Sequence, residues 1–187
     1  MRTSHRLAIL AGGLIAAGMM TWPCAAGATP ATAVIGAGSL AFVTALANVT
    51  FPSTALNGGD RTVTTNEGFD IGDATGSGTG WNIAATSTAF IDGVEDTLSN
   101  SATTVQTAPT VGCDSGSSCT TATNSITYPY TLPAGSTAPT ATKLIDAAEN
   151  TGMGNQTVTA TLSLAIPADT YAGTYTSTWT ISLLSGP

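Results

Sequence analysis

The chain has 187 residues, 42% of them hydrophobic and only 8% charged, with 4 Lys and Arg against 11 Asp and Glu for a net charge of −7. So acidic a balance excludes nucleic acid and anionic membrane surfaces as electrostatic partners, because both are bound by Lys and Arg that displace counterions. The single histidine is His5, so the rest of the chain lacks the base that Ser-His-Asp and Cys-His mechanisms need.

In chain order, Arg2, His5 and Arg6 make a basic start, Leu7 to Met20 an apolar uncharged run, and Ala26-Gly27-Ala28 a small-residue stretch. This is the pattern of a secretory signal peptide. It predicts a leader over residues 1–28, with cleavage as late as 33, and a single exported domain over 34–187. The apolar run is shorter than the roughly 20 residues a membrane-spanning helix needs. Without the leader, only Arg61 and Lys143 stand against the 11 acids, a net charge of −9.

From Ser39 onward, short runs of β-branched and apolar residues alternate with Gly, Pro, Asn and Asp, and no segment keeps a helical period. Strands are predicted over 39–44, 48–51, 61–65, 68–71, 81–90, 103–107, 125–130 and 143–147. Turn signals fall at 57–60, 73–80, 132–135 and 150–155. The turn after Asp70-Ile71-Gly72-Asp73 is glycine-rich, and Asp70 and Asp73 are the candidate oxygen donors for calcium, although the ordered spacing of a standard calcium loop is missing. No other cofactor is expected.

Trp81-Asn82-Ile83 places an indole and a branched side chain on one face of a strand, since side chains alternate. Asp92, Glu95 and Asp96 form an acidic cluster with no apolar setting to raise a carboxyl pKa, so it reads as a solvated loop rather than as paired catalytic acids. Cys113 and Cys119 flank the flexible Asp114-Ser115-Gly116-Ser117-Ser118 and are predicted to pair in an oxidising compartment.

The strongest alternation is C-terminal. Val158, Ala160, Leu162, Leu164 and Ile166 share one face; after a connection at 167–173, Tyr175, Ser177, Trp179, Ile181 and Leu183 share another. The expectation is a long antiparallel hairpin with a threonine-rich wet face. A sheet buried on one side needs a second sheet over it, so the predicted fold is an all-β, two-layer antiparallel β-sandwich, Ig-like or jelly-roll-like in topology.

Trp81-Asn82-Ile83, preceded by Gly78-Thr79-Gly80 and followed by Ala89-Phe90, is echoed by Trp179-Thr180-Ile181-Ser182-Leu183 after Ala172-Gly173-Thr174-Tyr175. On these motifs and their order the chain resembles the WxL domains of Gram-positive surface proteins, named for two Trp-x-Leu motifs. Both triplets here end in isoleucine, Ile83 and Ile181, a swap that keeps volume and apolarity. The resemblance implies a noncatalytic cell-surface protein attached noncovalently to peptidoglycan and able to assemble with other surface proteins. Trp81, Asn82, Ile83, Tyr175, Trp179 and Ile181 are then its signature and binding candidates. The alternative is a structural subunit of a surface fibre or biofilm matrix, built by strand exchange through residues 29–38.

Overall fold

Alternating runs of threonine and aliphatic residues form ten strands: β1 (Leu40–Phe42), β2 (Arg61–Asp73), β3 (Trp81–Thr88), β4 (Thr103–Val105), β5 (Thr110–Cys113), β6 (Tyr130–Thr131), β7 (Ala134–Gly135), β8 (Thr142–Ala147), β9 (Gly154–Ile166) and β10 (Trp179–Ser185). This computed structural model describes residues 30–187, and the predicted signal peptide lies outside them. One sheet runs β1-β2-β9-β4-β6, with β5 also on β9; the other runs β10-β3-β7, with β8 also on β3. All pairings are antiparallel except β3 with β7.

The spine of the larger sheet is the pairing of β2 with β9, unbroken from Arg61↔Ile166 to Asp73↔Gly154. Period-two burial along β2 turns Glu67, Phe69, Ile71 and Asp73 inward. On β9 the inward residues are Gln156, Val158, Ala160, Leu162 and Leu164. Opposite them the smaller sheet contributes Trp81, Ile83, Ala85, Leu144 and Ile145, so one core is filled from both layers. Each large apolar side chain taken fully out of water there stabilises the fold by about 1.5–3 kcal/mol. The all-β sandwich is therefore the fold.

Several local expectations are corrected. The C-terminal hairpin does not form: β9 pairs with β2, β4 and β5 in the larger sheet, while β10 pairs with β3 in the smaller. Both strands turn apolar faces to the same core, but from opposite layers. The runs at 61–65 and 68–71 are one thirteen-residue strand, β2, because Asn66 and Gly68 stay in register with Thr161 and Thr159. Residues 48–51 form no strand, and of 125–130 only Tyr130 enters one. Val49, Phe51 and Tyr128 instead pack as loop side chains against the core.

The outer face of β3 is not wet either. Seven of its eight residues are buried. The segments flanking β7 and the C-terminal segment cover it: the Thr86 hydroxyl reaches Pro133 O at 3.2 Å and Pro139 O at 2.8 Å, and Asn82 Nδ2 donates to Gly186 O at 2.8 Å.

Candidate functional site

Trp81 is an interior residue. It is 0% exposed, and its Nε1 donates to Gly152 O at 2.9 Å across 71 residues of sequence. The turn that presents this carbonyl needs glycine, because Gly152 has φ +76° and a Cβ there would press on the Trp81 indole and lie 2.6 Å from Ala147 Cβ. Gly80, at φ +72°, is equally constrained, since a Cβ would run into Ala147 O and lie 3.0 Å from Ala148 O. Gly152 thus lies against the indole, and Gly80 against the backbone of Ala147 and Ala148. Ile83 is buried beside it, while Asn82 is held by Gly186 and its Oδ1 is buried without a partner among the described residues.

The second motif sits differently. Trp179 and Ile181 are only partly buried at the margin of the core. The register sets Trp179 opposite Ser87 and Ser185 opposite Trp81, so the two tryptophans lie at opposite ends of the β3–β10 ladder. Six residues of strand separate the positions, roughly 20 Å. They do not converge on one ligand.

Trp179, Ile181 and Tyr175 do come together, with Leu46, Val49 and Phe90, along an open groove of 550 Å³ beside β10. Tyr175 also lines a larger neighbouring cleft of 680 Å³ between the 51–56 and 170–175 loops, where Phe51, Leu56, Leu164, Ile166 and Tyr171 face it. Its floor belongs to a second apolar cluster around Leu98, Ala102 and Leu164. Phe51 and Phe90 meet edge to face at 6.0 Å under the rim, and the Tyr175 hydroxyl donates to Tyr171 O at 3.0 Å. Tyr171 itself is 69% exposed. Tyr171 falls in the connection at 167–173, where its one sequence signal is an aromatic side chain in a polar loop.

The acidic cluster abuts this region. Asp92 Oδ1 accepts the N–H groups of Val94, Glu95 and Asp96 at 2.8, 3.2 and 3.2 Å. That of Val94 leads in holding the Asp92 carboxyl below its ordinary range, with burial opposing. Burial, followed by the charges of Asp92 and Asp96, raises the Tyr175 phenol.

Asp70 and Asp73 do not form a shared cage. Three residues apart on β2, they point to opposite faces. Asp73 turns inward, and its Oδ1 accepts the Thr75 N–H and hydroxyl at 3.0 and 2.7 Å, closing a turn. Burial, then the nearby Asp114, raises the Asp70 carboxyl. Among the described residues no three His, Cys, Asp or Glu side chains gather as a metal site. Cys113 and Cys119 are joined in a disulfide. The stapled loop is fixed to the start of β9, with Asp114 N–H donating to Asn155 O and Thr120 N–H to Met153 O.

A family model described as "WxL domain surface cell wall-binding" matches residues 38–187, from the first strand to the end of β10 and beyond. The chain belongs to the WxL family. Neither the curated proteins nor the solved structures contain a match. The WxL assignment makes this a surface, cell-wall-binding domain of a family that is not catalytic. The two tryptophans of this WxL domain have distinct physical settings, one enclosed between sheets and one bordering an open groove.

Proposed function

We propose that the domain is secreted and attaches noncovalently to peptidoglycan, without catalysis, through the surface that Tyr175 shares between the groove and the cleft. The observation that carries this reading is the match to a cell-wall-binding family over residues 38–187. The chemistry of the groove supports it. The partly exposed Trp179 ring offers a flat apolar face to a sugar ring, and the exposed Thr176 and Thr178 beside it offer hydroxyls to the sugar hydroxyls. Such contacts are neutral, which suits a domain whose own acidity repels anionic wall polymers at low salt. Within this reading Trp81, Asn82 and Ile83 position the strand on which β10 is laid, and Trp179, Ile181 and Tyr175 meet the ligand.

The test is sedimentation of the purified protein with insoluble peptidoglycan, with and without calcium, beside an acidic β protein of similar size. Saturable co-pelleting supports attachment, and calcium dependence brings Asp70 or Asp73 into it. No co-pelleting under either condition, together with concentration-dependent assembly in sizing experiments, replaces it with the strand-exchange fibre.

A further inference from the structure

The cleft between the 51–56 and 170–175 loops has a composition that sugar stacking alone does not explain. Its floor is aliphatic, from Val63, Leu98, Leu164 and Ile166, and its lip carries exposed Leu56 and Tyr171. A volume of 680 Å³ suits a ligand of several residues or a small molecule of similar size. No acid lines the cleft itself, but Asp92 stands behind the lining residue Gly173 near Tyr175. A Cβ built on Gly173, which lines the cleft, would lie 3.3 Å from Asp92 Cβ and 3.6 Å from Asp92 Oδ2. The three backbone donors occupy Oδ1, so Oδ2 faces the side-chain-free position 173. Asp96 lies on the same loop and its charge is felt at Tyr175. Of the two bases among the described residues, Lys143 lies on β8, while Arg61 on β2 is paired with the floor residue Ile166.

An apolar trough with tyrosine rings and the flanking Asp92 carboxylate at one end complements an aliphatic chain that ends in an ammonium group. The methylenes lie on the floor, and the cation meets Asp92, Asp96 and the faces of Tyr171 and Tyr175. Peptidoglycan carries that chemistry in its peptide arms, whose alanine methyls and diamino-acid side chain are aliphatic and cationic, whereas its glycan strand is uncharged. We infer that this cleft is the site for the ammonium-bearing peptide arm of peptidoglycan, beside the Trp179 groove, an assignment that rests on the wall-attachment reading.

The experiment titrates the purified full-length protein with three probes: a synthetic stem tetrapeptide with a free lysine ε-amine, its Nε-acetylated form, and a neutral N-acetylglucosamine tetramer. Pelleting with intact and amine-acetylated peptidoglycan runs alongside. The free-amine tetrapeptide binds, and acetylation weakens it about fivefold, the upper range for an exposed charge pair. Tyr171→Ala, at an exposed position that leaves the fold intact, weakens it at least about fivefold, as expected of an aromatic anchor. Asp96→Asn weakens the free-amine probe and narrows the difference between the two peptides. Equal binding of both peptides by the unmodified protein, or an unchanged affinity in Tyr171→Ala, overturns the assignment. Pelleting that survives acetylation and Tyr171→Ala overturns it too, and leaves wall attachment standing. Absence of pelleting with every wall preparation overturns attachment, while the tetrapeptide titration still decides the cleft.

Discussion

Replacing Trp81 by Phe separates a structural tryptophan from a ligand-stacking one. The change removes the Nε1 donor that satisfies Gly152 O at 2.9 Å in a buried setting. An interior carbonyl stripped of its donor costs about 1–3 kcal/mol. The smaller ring also leaves about 40 Å³ unfilled, worth about 1 kcal/mol at roughly 24 cal/mol per Å³. The glycine turn has little room to close in and refill it, because even a Cβ at Gly80 or Gly152 would collide with its surroundings. Together these give a destabilisation of about 2–4 kcal/mol, which for a domain of this size lowers Tm by about 5–15 °C. Thermal unfolding followed by near-ultraviolet circular dichroism measures it, and pelleting at a temperature where both proteins are folded measures function. The expected pair of results is a large fall in Tm with unchanged wall binding. An unchanged Tm, or lost binding at full stability, refutes the enclosure of this indole.

Trp179→Phe has the converse signature: a stability loss below about 1.5 kcal/mol, since a partly exposed ring gives up little on a conservative swap, and weakened pelleting. Reducing the Cys113–Cys119 disulfide, or Cys113→Ser with Cys119→Ser, lowers stability by about 2 kcal/mol, as expected for so short a closed loop, and raises amide exchange at Thr120 and Asp114, whose N–H groups clip the loop to β9. Glu67 is buried with its Oε1 unpartnered among the described residues, and burial raises its carboxyl pKa above the ordinary 4.5. Such a group favours the fold while protonated, and this contribution is lost as pH rises through the folded-state pKa. Glu67→Gln therefore raises Tm at pH 7, and the gain vanishes at about pH 4, where both states of the wild type are protonated. A gain that persists at low pH contradicts this.

The alternation of Val158 to Ile166 and of Trp179 to Leu183 was legible because period-two burial follows directly from strand geometry. The partner of each strand was not, since alternation reports which face is buried and says nothing of which ladder the backbone joins. Hence β9 and β10 read as neighbours although they lie in different sheets. Coverage of β3 by residues 132–139 and by Gly186 was hidden for a related reason: Asn82 and Thr86 look solvated until a distant loop supplies their acceptors. At the candidate site, Tyr175 and Trp179 stood out through the motif, and the structure sets both beside an open groove. Tyr171, Phe51 and Leu56 fall in loops whose folding back over Leu164 and Ile166 has no local sequence signature.

The double coverage of β3 imposes an order in time. As the chain is synthesised, Trp81–Thr88 appears early, but its ladder partner on one side, Trp179–Ser185, comes almost a hundred residues later. The acceptor for Asn82, Gly186 O, arrives later still. The central strand of the smaller sheet thus remains an unfinished template until nearly the whole domain is available, and pairings so remote in sequence form slowly. Such a domain completes its fold as a late, concerted event. During that interval the exposed Trp81–Thr88 edge is the segment most open to capture by a neighbouring chain.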